Sequence, residues 1–220
     1  MAIKILGFPG STYTLAVLMT LEELGVPYEF VEVDWTEIKS PEFLAKHPFG
    51  QVPVLIDDDF TLYESRPIAV YLAKKYQGTK KSTILYPTDD ERKSALLDQY
   101  MSVEYSDYDP AIKIVARELI YTKFNGKTPV QENIEEGREA ISKVLDVYDK
   151  LLEGKDYLAG DFSLVDIFHI PYSNYLIKLN NRDLWEDPKR PNVVRWWKSI
   201  SNRESWIKLI SEHEAKLLVK

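Results

Sequence analysis

The sequence predicts an α/β domain followed by an all-helical one, and three observations carry that prediction. The first 77 residues alternate short apolar strands with helical segments. A stretch rich in Gly, Lys, Ser, Thr and Pro follows at 78–87. Beyond Asp89 the periodic segments all repeat at helical spacing, with no convincing strand. The boundaries this implies are 1–77 for the α/β domain, 78–88 for a linker and 89–220 for the helical domain.

Taken in order, residues 3–6 are a short apolar strand, and 14–24 have helical periodicity ending at Gly25, a natural C-cap. Residues 28–33 alternate as a strand, and 41–45 read as a short helix opened by Pro41. Two further strands flank the acidic turn DDD in HPFGQVPVLIDDDFTLYESRPI, and a helix covers 67–76. The order β-α-β-α-β-β-α is the thioredoxin-like pattern.

In the second domain, residues 91–121 form a long helix bent near Asp109-Pro110, because proline lacks an amide and crowds the preceding turn. Residues 133–152 space Ile134, Ile141, Val144, Leu145, Tyr148, Leu151 and Leu152 to line one face of a helix and stop at Gly154. Helices are expected from Leu164, from Val193 and around Trp206, Leu209 and Ile210. Ser163 stands three residues before Asp166, a capping-box spacing that reads as a helix start and not as catalytic chemistry. Trp196-Trp197 reads as helix-face packing.

The 220 residues carry a formal net charge of −7, which argues against nucleic acid or an anionic membrane as partner. No apolar run approaches a membrane span and no signal-like segment opens the chain, so a cytoplasmic location is expected. Cysteine is absent, which excludes disulfides, thiolate metal sites and a protein thiol nucleophile. The three histidines, His47, His169 and His213, lack metal-ligand spacing, and no metal is expected.

The segment from His47 to Ile68 carries the most chemistry. Pro53 keeps Val52 extended, and a cis bond there would turn the Val52 amide and carbonyl outward for an added peptide strand. Glu64 and Ser65 open the next helix, whose unpaired amides and dipole suit a carboxylate. On these residues alone, plain architecture is the more common reading. The full string PFGQVP with ESR at this spacing resembles the glutathione transferases, and the phi class in particular, nearly end to end. That resemblance implies reduced glutathione as co-substrate, bound by Gln51, Val52 and Pro53 at its cysteinyl backbone and by Glu64 and Ser65 at its γ-glutamyl end. Lys39, in EIKSP, matches a lysine near the glycyl carboxylate. Two departures stand out: Ile38 replaces a frequent histidine, and Leu15-Ala16 stands where an arginine is usual.

A free thiol with a pKa of about 8.5 is largely protonated at neutral pH, and lowering it by about two units takes about 2.7 kcal/mol of thiolate stabilisation. By resemblance, Ser11 in GFPGSTYT is the catalytic donor to the glutathione thiolate; on the residues alone Ser11 or Thr12 is a helix cap, and Thr12, Tyr13 and Thr14 are alternative donors. The expected activity is conjugation of glutathione to hydrophobic electrophiles, a detoxification chemistry, with glutathione-dependent peroxidase activity as a second reaction. The electrophile pocket is expected between the domains, lined by Phe8, Pro9 and Tyr13 and, from VEYSDYDPA onward, by Tyr105, Tyr108, Ile112 and Val115 at helical spacings. The same aromatic stripe also reads as core. Flat apolar electrophiles or polyphenolic ligands fit such a pocket. Phe49 matches an aromatic key of dimeric transferases, which implies a homodimer. The alternative function is a weakly catalytic carrier of apolar aromatic ligands on the same fold.

Overall fold

The computed structural model describes residues 3–78, 83–122 and 125–213. It divides into two compact units, one holding the described residues through Thr88 together with the final helix, the other running from Asp89 to Arg203.

The first unit is built on a four-stranded sheet in the order β2-β1-β3-β4, with β1 at Ile3–Gly7, β2 at Tyr28–Glu32, β3 at Val54–Asp57 and β4 at Phe60–Tyr63. β1 pairs parallel with β2 and antiparallel with β3, and β4 pairs antiparallel with β3. Helix α1 spans Thr12–Leu24 and ends at Gly25 in the left-handed conformation, as its C-cap position predicts. A short 3₁₀ turn at Glu37–Lys39 leads into α2 at Pro41–Leu44, and α3 spans Ser65–Tyr76. Asp57, at the end of β3, accepts hydrogen bonds from Tyr71 Oη at 2.6 Å and Lys75 Nζ at 2.5 Å, which tie the acidic hairpin to α3. This is the thioredoxin-like arrangement expected from the element order.

The linker expected at 78–88 includes residues 79–82, which lie outside the described residues. Its described end packs on the first unit: the Gln77 side chain accepts from the amides of Leu85 and Tyr86, and Thr83 N–H donates to Glu23 O at 3.2 Å.

In the second unit, α4 spans Glu91–Val103 and α5 spans Asp109–Ala116, joined by a single wide turn at Glu104–Tyr108. There Asp109 N–H reaches back five residues to Glu104 O, so the ladder is re-spaced just where Pro110 has no amide to give. A second wide turn, Arg117–Tyr121, follows. Helix α6 spans Gln131–Leu151, α7 spans Leu164–Leu176 and α8 spans Pro191–Ser201. The capping box at the start of α7 forms as its spacing predicts, and the buried Asp166 also accepts from Trp196 Nε1 at 2.8 Å. Burial pushes this carboxyl up to about 6, against the pull of those donors. Trp196 and Trp197 are both buried packing residues.

The expected domain boundary needs one correction. The last helix, α9 at Glu204–His213, belongs to the first unit. Trp206 and Leu209 are buried, Lys208 pairs with Glu22 on α1 at 2.7 Å, and Ser205 Oγ donates to Glu23. Its apolar spacing specified a helix but not which core would receive it.

Candidate functional site

The ladder registers assemble the site. Leu6 faces Val54 and Val54 faces Tyr63, so the chain leaves β1, enters β3 and leaves β4 at one end of the sheet. Phe8 and Pro9, Val52 and Pro53, and Glu64 and Ser65 therefore emerge together. The Val52–Pro53 bond is cis, and both ladders of β3 begin at Val54, so the amide and carbonyl of Val52 lie past the last paired residue. Gln51 beside it is exposed.

Ser11 is the N-cap of α1, and its Oγ accepts from Thr14 N–H at 3.3 Å. The oxygen thus serves the helix while the hydroxyl proton remains available for an acceptor at the positive end of α1. Of the alternative donors, Thr14 is fully buried with its side chain against Gly7, where an added side-chain carbon would come within 2.5 Å of it. Thr12 is also buried. Tyr13 is half-buried, with the Arg66 guanidinium 5.7 Å above its ring. That contact brings the first turn of α1 beside the first turn of α3.

Glu64 precedes α3 with φ 70° and ψ 117°, a conformation side-chain-bearing residues rarely adopt, and its side chain makes no capping bond. Strained backbone of this kind concentrates at ligand sites. Ser65 is buried at the first position of the helix. Lys39 Nζ donates to the carbonyls of Phe49 and Gly50 at 3.0 and 3.2 Å. Ile38 is buried in a cluster with Leu6, Val33, Phe43 and Val54, against which Phe8 and Val52 also pack. Leu15 and Ala16 are core residues of α1.

Three residues at this end of the sheet were not singled out by the sequence. Trp35, 70% exposed, rests against Phe8 with ring centroids 4.8 Å apart. Arg66 covers Tyr13. His47 is 2% exposed, lies 4.6 Å from the Tyr63 ring, and has no partner for Nδ1 among the described residues; burial lowers its pKa. An isolated tryptophan just past a strand is the one signal in the sequence that pointed to Trp35.

The helical half of the expected electrophile pocket is corrected. Tyr108, Ile112 and Val115 are 1%, 0% and 0% exposed and form the core of the second unit. Tyr108 Oη donates to Ser173 Oγ, which in turn donates to His169 O at 2.5 Å. Its ring stacks on Tyr148, whose hydroxyl donates to His169 Nε2 at 3.0 Å while His169 Nδ1 donates to Val165 O. Burial drives the Tyr108 phenol well above its ordinary range. A satisfied phenol in a sealed core cannot line a pocket; the core reading of the stripe is the correct one. Tyr105, on the same wide turn, faces solvent.

Comparison with known proteins agrees with the fold. The glutathione S-transferase N-terminal domain family matches residues 5–80, and the C-terminal domain family matches 112–204. Glutathione S-transferase F13 of Arabidopsis thaliana is 38% identical over 212 residues, covering 95% of each chain. The chain belongs to the glutathione S-transferase family. Among solved structures, glutathione transferase F7 from Populus trichocarpa matches this transferase with a TM-score of 0.89 at 38% identity, over 95% of this chain and 98% of that one. Glutathione S-transferase I from maize, solved with an atrazine glutathione conjugate, matches with a TM-score of 0.89 at 32% identity, over 97% and 99%. These relatives place the transferase in the phi class. Among the described residues no helix is long and apolar enough to cross a membrane, and no cluster of three or more His, Cys, Asp or Glu side chains could hold a metal ion.

Proposed function

We propose that this glutathione transferase conjugates reduced glutathione to hydrophobic electrophiles, with Ser11 as the hydroxyl donor that stabilises the thiolate. The observation that carries the reading is the Ser11 cap, whose oxygen accepts from α1 at the sheet end shared by Val52, Glu64 and Ser65. Glutathione lies along Gln51, Val52 and Pro53 as an added strand, with its γ-glutamyl carboxylate at Ser65 and the α3 amides. Phe8, Pro9 and Tyr13 form the apolar wall near the thiol, extended by Trp35. Reduction of organic hydroperoxides is a second use of the same thiolate. A cytoplasmic location and a homodimer joined through Phe49 complete the reading. The carrier alternative draws on Ile38, whose side chain is buried in an apolar cluster and offers no donor beside Lys39.

The deciding experiment is an ultraviolet titration of the thiolate of glutathione bound to the purified protein. The bound thiol is expected to titrate about two units below the free peptide. Ser11→Ala should return it toward the free value and lower kcat/KM about a hundredfold, the scale of one lost oxyanion donor. Binding with an unshifted thiol would establish the carrier instead, and full activity in Ser11→Ala would remove Ser11 from the mechanism.

A further inference from the structure

The Lys39 ammonium, expected at the glycyl end of glutathione, is already engaged by the protein. Two of its three donors lie on the Phe49 and Gly50 carbonyls, as charge-assisted bonds. The approach is close: Gly50 sits at φ 60°, and a side-chain carbon there would lie 2.5 Å from Ile38 O and 2.8 Å from Lys39 Nζ. Gly50 N–H in turn donates to His47 O at 2.8 Å, and the buried His47 ring lies against Tyr63 at the end of β4. Residues 47–50 lie outside the ladders of the sheet; His47 N–H is held by Phe43 O at 2.9 Å, and the contacts above hold the residues that follow it. The next residues in the chain are Gln51, Val52 and Pro53.

We propose that Lys39 is a positioning residue that clamps the Phe49–Gly50 carbonyls, thereby setting the Gln51–Val52 backbone, and that it supports ligand binding through that backbone more than through an ion pair with the glycyl carboxylate. This rests on the glutathione reading of the site. A direct ion pair and a clamp differ in what they require of the ligand. The ion pair needs the glycyl carboxylate; the clamp is indifferent to it.

The test compares the unmodified full chain with Lys39→Met, which keeps the length of the side chain and removes its donors. Calorimetry measures binding of reduced glutathione and of its glycyl monoethyl ester, in which that carboxylate is neutral. The clamp predicts that Lys39→Met weakens both peptides by a similar factor of about ten, the scale of a lost charge-assisted hydrogen bond. Weakening of glutathione alone, or of neither peptide, overturns it. Amide hydrogen exchange without ligand is the second arm: the Gly50, Gln51 and Val52 amides are expected to exchange about tenfold faster in Lys39→Met, and unchanged exchange overturns the clamp. If the unmodified protein bound neither peptide, the glutathione reading would fall, and the exchange arm would still decide the clamp.

Discussion

Glu64 holds the strained conformation of the site, and its side chain does nothing for the helix it precedes. Its backbone carbonyl takes the first bond of α3 from Ile68 N–H at 3.0 Å, while its exposed carboxylate makes no cap. On the proposed reading, a carboxylate beside the N-terminus of α3 suits the ammonium of a γ-glutamyl group, with Ser65 and the helix amides left for the carboxylate. Glu64→Gln is therefore expected to raise the KM for glutathione about fivefold and leave kcat nearly unchanged, since an exposed pair contributes to ground state and transition state alike. Steady-state kinetics at saturating electrophile measure the split, and a fall in kcat alone would remove this role. Single residues were easiest to nominate where they sat in a spaced motif: Ser11, Val52, Glu64 and Ser65 all lie at one end of the sheet. Tyr108 was not legible, because helical spacing places it on a face without saying whether that face meets a cavity or a core. His47 was also not legible, since nothing local to HPFG reveals that its ring is buried against Tyr63.

At the scale of elements, the hairpin β3–β4 depends on α3 through Asp57. Hydrogen bonds from Lys75, first, and Tyr71 hold this carboxyl below the ordinary aspartate range. Its folded-state pKa is thus lower than its unfolded one, so the stabilisation is complete above the unfolded value and is lost as pH falls through the folded value. Asp57→Asn is expected to destabilise the protein by about 2 kcal/mol at neutral pH, the scale of a hydrogen bond to a charged group. The difference should shrink as pH falls through the folded-state value and vanish below it, where both proteins carry a neutral side chain. Urea unfolding at neutral pH and below that value measures it; an equal deficit at both would show that the amide fails through its shape and not through its lack of charge. Turn chemistry made the hairpin readable, with Asp58 taking the left-handed position between the strands. The wide turn at Glu104–Tyr108 was readable only as a bend near Pro110, because sequence marks the missing amide but not how the ladder re-spaces around it.

For the whole molecule, sequence order and spatial grouping part company at the last helix. α9 joins the first unit through Lys208 and Ser205, whose partners Glu22 and Glu23 lie 186 and 182 residues earlier, a separation no local pattern encodes. The surface poses the remaining question. Phe49 is 67% exposed, yet its carbonyl is fixed by Lys39 and its ring meets His47 edge-on at 6.2 Å. An aromatic presented on a fixed backbone loses little conformational freedom when it enters a partner, which is the property of an interface anchor. In a two-fold dimer the contact occurs twice, so removing the ring acts on both halves of the interface. Phe49→Ala is expected to weaken self-association at least about a hundredfold. Each copy carries a formal charge of −7, so association of the unmodified protein should also tighten as salt screens that repulsion. Sedimentation velocity over a range of protein and salt concentrations reads both effects. A monomer in the unmodified protein at every salt concentration, or a dimer untouched by Phe49→Ala, would show that this ring is not what holds two copies together.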